Sequence, residues 1–294
     1  MQVSIIIVNY NTKDLIEQCI KSIYNHVRTE LFEIIVVDNC SVDGSQDLIK
    51  LKFPNVILIQ SELNLGFGRA NNLGINIAKG RYVFLLNSDT YLIDDAISSF
   101  MTYMDKHNDI ACCGAELIDA TAKSQISFGN FPSVFEAFSE LGFFLLYKKY
   151  FKRHLASAVI NYDIKEKDVD YICGADMFIR KSVLDKIGAF DPDFFLYFEE
   201  TELCFRFHKM GYISRLLPFI RIVHLEGGSQ KTNESFNYNK IRIFTRSRAI
   251  FFRKCYGDFR AMTVKILYVL QNLILFLAKG KVDYLRIVKI IINS

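Results

Sequence analysis

Residues 194–204 read FFLYFEETELC and place three acids in four positions, Glu199, Glu200 and Glu202. A carboxylate within hydrogen-bond reach of a hydroxyl can take its proton as a bond breaks elsewhere. The plainer role of such acids is to meet the positive end of a helix dipole in the first turn. A second candidate is the triplet NSD at 87–89. A hard divalent cation bridging a diphosphate seeks carboxylate oxygen, which Asp89 offers, and Asn87 carries an amide able to bond a ribose hydroxyl. Asp38, in VVDN, can accept a hydrogen bond from the N3–H of a uracil or thymine ring, or it can cap a turn or helix. Asn9 and Asn11, in VNYN, follow another apolar run. Arg69, in NLGFGRANNLG, can meet a phosphate or stand solvated in a first helical turn. His224, in VHLEGG, is a candidate metal ligand at a strand end, close to Gly227 and Gly228.

These residues need a frame. VSIIIV at 3–8 and EIIVVD at 33–38 are apolar and rich in β-branched residues, as strands buried on both faces are. Helical spacing follows at 14–26, with Leu15, Cys19, Ile20 and Ile23, and again at 43–52. A strand at 56–60, a helix at 69–79 ending at Gly80, and a strand at 81–89 complete a β-α-β-α-β-α-β order. That order predicts an α/β domain with a mostly parallel sheet. Ligands of such sheets bind beyond the carboxyl ends of the strands, where Asn9, Asn11, Asp38, Asn87 and Asp89 fall. Residues 119–170 are less regular and read as a partly helical insertion. Strand character returns over 171–180, helices follow at 181–187 and 199–210, and a strand at 220–229 leads into a Gly-rich loop.

Composition narrows the function. The chain has 294 residues, 51% of them apolar, and a net charge of +4. That balance gives no nucleic-acid footprint. Seven cysteines are scattered with no C-x-x-C pair, which points to reduced thiols and not to a zinc site or a disulfide framework. The N-terminus has no basic segment or cleavage site and reads as a buried strand, not a signal peptide. The pair Gly66-x-Gly68 lacks the third glycine of a dinucleotide fingerprint and does not follow the first strand, so a dehydrogenase is excluded. Beyond about 236 the character changes. Residues 240–260 hold seven basic residues and one acid among aromatics and isoleucines, and 261–278 is an apolar run carrying Lys265, Gln271 and Asn272. The run falls short of the roughly 20 clean residues of a spanning helix. It reads as a helix in the membrane interface, or as a tail packed on the domain before it.

In order, VSIIIVNYN, IIVVDNCSVDGS, NLGFGRANNLGI, GRYVFLLNSDT, GADMFIRKSVLDKIGAFDPDFFLYFEETELCFR and VHLEGGS resemble the inverting family 2 glycosyltransferases of the GT-A fold, notably the rhamnosyltransferase-like branch. The resemblance covers roughly residues 2–230. It implies a nucleotide-diphospho-sugar transferase fold with a mostly parallel central sheet and a helical tail. The implied division is 1–235 for catalysis (1–118 for the nucleotide-sugar, 119–235 for the acceptor) and 236–294 for a basic amphipathic tail. It implies that Asp38 contacts the nucleobase, with Asn9, Asn11, Arg69 and Asn87 on the nucleotide side. Asp89 would hold Mg2+ or Mn2+, with His224 assisting. Glu200 falls where the family places its catalytic base, normally Asp, and Glu199 is the adjacent alternative. Asp176, Tyr197 and Phe198 would meet sugar or acceptor.

The partners implied are a nucleotide-sugar donor (dTDP-rhamnose or a UDP-hexose), a saccharide or lipid-linked acceptor, and an anionic membrane surface. The setting implied is cell-surface polysaccharide synthesis on the cytoplasmic face of a membrane, with oligomerisation open to the tail. Two other readings compete. A sugar nucleotidyltransferase normally opens with a glycine-rich basic loop, and VNYNTKDL has no glycine. An inactive sugar-nucleotide-binding module has no need of the acids at 38, 89 and 200.

Overall fold

The structure is a computed structural model that describes residues 1–27, 32–225 and 236–294. Its first half alternates as expected: β1 (Val3–Asn9), α1 (Lys13–His26), β2 (Phe32–Asp38), α2 (Ser45–Lys52), β3 (Ile57–Gln60), α3 (Phe67–Ile77) and β4 (Tyr82–Leu86). Residues 90–118, unassigned from sequence, hold β5 (Thr90–Leu92), α4 (Ala96–Lys106) and β6 (Ile110–Ile118). Then come β7 (Ile126–Gly129), α5 (Val134–Ser139), α6 (Lys148–His154), β8 (Val159–Ile160), β9 (Lys167–Val169), β10 (Tyr171–Ile172), β11 (Asp176–Arg180), α7 (Lys181–Ile187), α8 (Glu199–Lys209) and β12 (Ile213–His224). Three helices follow: α9 (Tyr238–Tyr256), α10 (Asp258–Lys279) and α11 (Asp283–Ile292).

The central sheet has nine strands, ordered β3-β2-β1-β4-β11-β6-β12-β5 with β9 beside β12. Strands β1 to β4 run parallel, β11 opposes both β4 and β6, and β6 is parallel to β12. β6 therefore lies between two strands from later in the chain, and the sheet is continuous across the 118/119 boundary. Alternate residues of β1 enter opposite layers, because side chains on a strand point to the two faces in turn. Ile5 and Ile7 pack with Ile16, Ile20 and Phe100, on α1 and α4. Ile6 packs with Ala70, Ile75 and Leu203, on α3 and α8. Helices on both faces explain why the early strands read as unbroken apolar runs.

Three sequence expectations need correction. The strand expected over 171–180 is two strands: β10 joins a small sheet with β7 and β8, and Cys173–Ala175 turn the chain into β11 of the large sheet. The 119–170 segment is built around that small sheet as well as short helices. The apolar run of the tail is longer than expected: α10 has 22 residues and a mean hydropathy of 1.8, so by length and composition it is able to cross a membrane. Gly227 and Gly228, read as a loop after β12, lie outside the described residues.

The tail packs on the α/β domain before it. Ile250, Phe251 and Phe252 of α9 are buried with Phe194, Phe198 and Phe205. Ser247 Oγ donates to the Leu196 carbonyl at 2.8 Å, and Lys254 Nζ pairs with Asp193 at 2.6 Å. α10 lies against α5 and α9, with Gln271 Nε2 donating to the Glu140 carbonyl and the Arg248 guanidinium 3.4 Å from the Tyr268 ring centroid.

Candidate active site

The carboxyl ends of β1, β2 and β4 open into a cleft of about 440 Å³. Its walls include Tyr10, Thr12 and Asn39, then Asn64, Gly66 and Phe67 at the entry to α3, then Asn87, Ser88 and Asp89. Phe195 and Leu196 close one side, and Asn239 and Ile243 of α9 complete it. The position agrees with the rule for parallel sheets.

Asp38 organises one end of the cleft. It is fully buried at the end of β2. Its Oδ1 accepts from Asn9 Nδ2 at 2.9 Å, and its Oδ2 accepts from the Ser41 amide at 3.0 Å and Gln46 Nε2 at 2.6 Å. Asn9 bonds Ser41 Oγ and Thr12 Oγ1 in turn, and Thr12 reaches Ser88 Oγ at 2.9 Å. Asn11 has a φ of 54°, and its side-chain oxygen receives the Val42 amide. This network fixes the turns after β1, β2 and β4 relative to one another. Asp38, Asn9 and Asn11 stand behind the wall, and the neighbouring Asn39 is on it. Asn39 holds the opposite loop by accepting from the Leu65 amide and donating to Asn64 and the Gly66 carbonyl.

Asp89 and His224 meet, as the sequence reading expected, because β5 pairs with β12 and sets Thr90 opposite His224. His224 Nε2 is 3.4 Å from Asp89 Oδ1, and both side chains are 12% exposed. No third His, Cys, Asp or Glu joins them among the described residues. One carboxylate and one imidazole beside a cleft fit a hard cation that keeps waters and takes its other ligands from a substrate diphosphate. Asn87 lines the cleft beside Asp89, its backbone N–H fixed by the Ala175 carbonyl at 3.0 Å.

The three acids differ in environment. Tyr197 and Phe198 both have φ near 70°, a left-handed conformation that costs a non-glycine residue about 1 kcal/mol or more. The two turns aim the start of α8 back under the cleft. Gly66 permits the approach: a β-carbon there would stand 1.9 Å from the Phe195 carbonyl oxygen, which instead accepts from the Phe67 amide at 2.9 Å. Glu199 is buried under Gly68, with Oε2 unpartnered, and burial together with the Glu200 charge holds its carboxyl well above the usual range. Glu200 is half-buried beside Gly174 and Phe67. Burial raises its pKa, while its own backbone amide and Thr201 oppose the rise. Glu202 is committed elsewhere, gripping Arg206 Nε at 2.8 Å, and Arg206 ties down the carbonyls of Ile187, Gly188 and Ala189. A raised, partly exposed carboxyl is the form suited to a general base; Glu200 has it where Glu199 does not, and it stands across Gly174 from Phe67 of the cleft wall, not on the wall itself.

The remaining candidates fall away from the cleft. Asp176 is fully buried on β11, with Oδ2 accepting from the Ala115 amide, Oδ1 unpartnered, and its pKa raised well above normal by burial. Phe198 packs into the α8–α9 core, and Tyr197 meets Phe244 edge-on at 5.6 Å. The aromatic wall belongs to Phe195 instead. Arg69 points outward and donates to the Pro192 carbonyl at 2.6 Å. Asn239 and Ile243 were invisible as site residues, because only the packing of α9 brings them to the cleft.

The mostly parallel sheet with helices on both faces, β11 set antiparallel within it and a cleft beyond β1, β2 and β4 is an α/β fold of the GT-A type. Solved structures agree on the fold: GalNAc-T7, crystallised with UDP, GalNAc and Mn2+, superposes with a TM-score of 0.60 at 16% identity, over 87% of this chain and 50% of that one. The family model described as glycosyl transferase family 2 matches residues 4–188, and the chain belongs to that family. Among curated relatives, a poly(ribitol-phosphate) beta-glucosyltransferase of Bacillus spizizenii is 40% identical over 102 residues, which is 33% of this chain and 16% of that protein. An N-acetylglucosaminyl-diphospho-decaprenol L-rhamnosyltransferase of Mycobacterium tuberculosis is 23% identical over 205 residues, 65% of this chain and 66% of that protein. The chain thus matches from about one sixth to just under two thirds of the length of these two relatives.

Proposed function

We propose that this chain is an inverting, cation-dependent glycosyltransferase. It moves a sugar from a nucleotide diphosphate to a hydroxyl of a saccharide or lipid-linked saccharide in cell-surface polysaccharide synthesis, at the cytoplasmic face of a membrane. The observation that carries the reading is the Asp89–His224 pair at the β1–β2–β4 cleft, with Glu200 held across Gly174 from Phe67, a residue of the cleft wall. Asp89 and His224 would hold Mg2+ or Mn2+, which when bound offsets the charge developing on the leaving diphosphate. Asn87, on the cleft wall, would bond a ribose hydroxyl. The network around Asp38 shapes the nucleobase end, with Asn39 presenting its surface. Asn9 and Asn11 serve there as supports, and Arg69 holds the 192 loop.

Glu200 takes the proton of the acceptor hydroxyl as that oxygen attacks the anomeric carbon and the bond to the diphosphate breaks. Attack from the face opposite the diphosphate inverts the centre. Glu199 is buried, its carboxyl pushed well above the usual range by burial and by the Glu200 charge, and serves as a structural neighbour of the base. The rhamnosyl and diphospho-lipid chemistry in the name of the mycobacterial relative supports dTDP-rhamnose as one donor to try, beside UDP-hexoses. A panel of nucleotide-sugars, each assayed for donor hydrolysis with Mn2+ and with EDTA, tests the proposal. Cation-dependent release of sugar from at least one donor is expected. A sugar-1-phosphate plus a nucleoside triphosphate as the preferred substrates would mark a nucleotidyltransferase instead.

A further inference from the structure

A second cleft, of about 640 Å³, lies between α9 and α11. Four cations line it: Arg242 and Arg246 from α9, Arg286 and Lys289 from α11. No Asp or Glu lines it among the described residues. Asp283, at the start of α11, is taken up by the Tyr238 hydroxyl and is 4.0 Å from Arg286. All four cationic side chains are exposed. Like charges converge at a cost unless something neutralises them, and guanidinium groups match phosphate oxygens in pairs.

Two further features say what carries the phosphate. α10, which packs against both α9 and α11, exposes Phe259, Met262, Ile266, Leu270, Ile274 and Leu277. Their spacing of three and four residues makes one stripe along the helix. α9 also connects the two clefts: Asn239 and Ile243 line the catalytic one, and Arg242 and Arg246, three residues on from each, line the cationic one. Residues three apart on a helix are surface neighbours, with Cβ atoms about 5–6 Å apart, so the two clefts meet α9 on adjoining faces.

We infer that the α9–α11 cleft binds the diphosphate of a lipid-linked acceptor, whose chain lies along the α10 stripe and whose saccharide reaches past α9 into the catalytic cleft. The inference rests on the proposed function, since it names the acceptor's anionic group. Four cations in one cleft match the charge of a diphosphate better than that of a singly charged headgroup.

The test uses the full chain in EDTA, so that no cation at Asp89 can hold the probe. Farnesyl diphosphate binding is measured by calorimetry for the wild type, for Arg242→Gln with Arg246→Gln, and for Lys289→Gln. Inorganic pyrophosphate, farnesol and phosphatidylglycerol vesicles serve as competitors. At least a tenfold loss of farnesyl diphosphate affinity in the double variant is expected, a smaller loss in Lys289→Gln, and weaker competition from every competitor. Equal affinity in wild type and double variant overturns the proposal. So does competition by pyrophosphate, farnesol or phosphatidylglycerol as strong as that of the probe itself. Donor hydrolysis with Mn2+, measured on the same samples, keeps the two readings apart: its absence in the wild type sinks the transferase, while its presence beside unaltered probe binding sinks only the lipid diphosphate site.

Discussion

At the scale of residues, the division of labour among the acids is the sharpest claim. Glu200→Gln keeps the shape of the base but cannot take a proton. Turnover should fall on the order of 10²–10⁴ with donor affinity nearly unchanged, because only a transition-state interaction is lost. Glu200→Asp should also lose activity if the pocket is built around the longer side chain. Steady-state kinetics with a separate donor titration check both, and an inactive Glu199→Gln beside an active Glu200→Gln would move the base by one residue.

Glu199 should reveal itself in stability instead. An acid whose pKa is higher in the folded chain than in the unfolded one binds more protons when folded, so stability is lost as pH rises from the ordinary carboxylate value through the folded value. Burial and the Glu200 charge raise Glu199 in this way. Glu199→Gln cannot titrate, so it should raise Tm at pH 8 and do so less at pH 5. Thermal melts across that range decide it, and a Tm gain that does not change with pH would contradict the burial argument. Asp89→Ala should abolish cation-dependent turnover and weaken nucleotide binding in Mn2+; wild-type turnover of this variant in EDTA would remove the metal from the scheme.

At the scale of elements, α9 shares a core with the α/β domain before it. Phe251 is fully buried between α8 and α9. Phe251→Ala should therefore cost about 3–5 kcal/mol of stability by urea denaturation, whereas a tail held only by membrane would leave the midpoint unmoved. How far such elements can be read from sequence depends on what their residues advertise. β1 and β2 show themselves, because Ile and Val runs buried on both faces have few other uses. β6, IACCGAELI, does not: its Ala, Cys and Gly residues carry little strand preference. Gly114 is there because a β-carbon would stand 2.4 Å from Ile172 Cγ2, a fact of packing that no local pattern encodes. The site divides the same way. Asp89 and His224 stand out as chemistry at strand ends, while Asn39, Phe195, Asn239 and Ile243 reach the cleft only through tertiary contacts. Asp176 is the converse, an acid in a promising motif that the β4–β11–β6 pairing buries completely.

At the scale of the whole molecule, the tail gives the protein a basic, apolar side. Basic residues near an anionic bilayer contribute roughly 1 kcal/mol each, and salt screens that attraction. The full chain should float with anionic vesicles at low salt and be released as salt rises; a chain that stays free of vesicles at low salt would contradict the membrane setting. The central claim, cation-dependent transfer with inversion at the β1–β2–β4 cleft, is tested most directly by proton NMR of donor hydrolysis, with water standing in for the acceptor. The account predicts that the first free sugar to appear has the anomeric configuration opposite to the donor's, and that it appears only with Mg2+ or Mn2+. A first-formed sugar of retained configuration, or release at the same rate in EDTA, would contradict it.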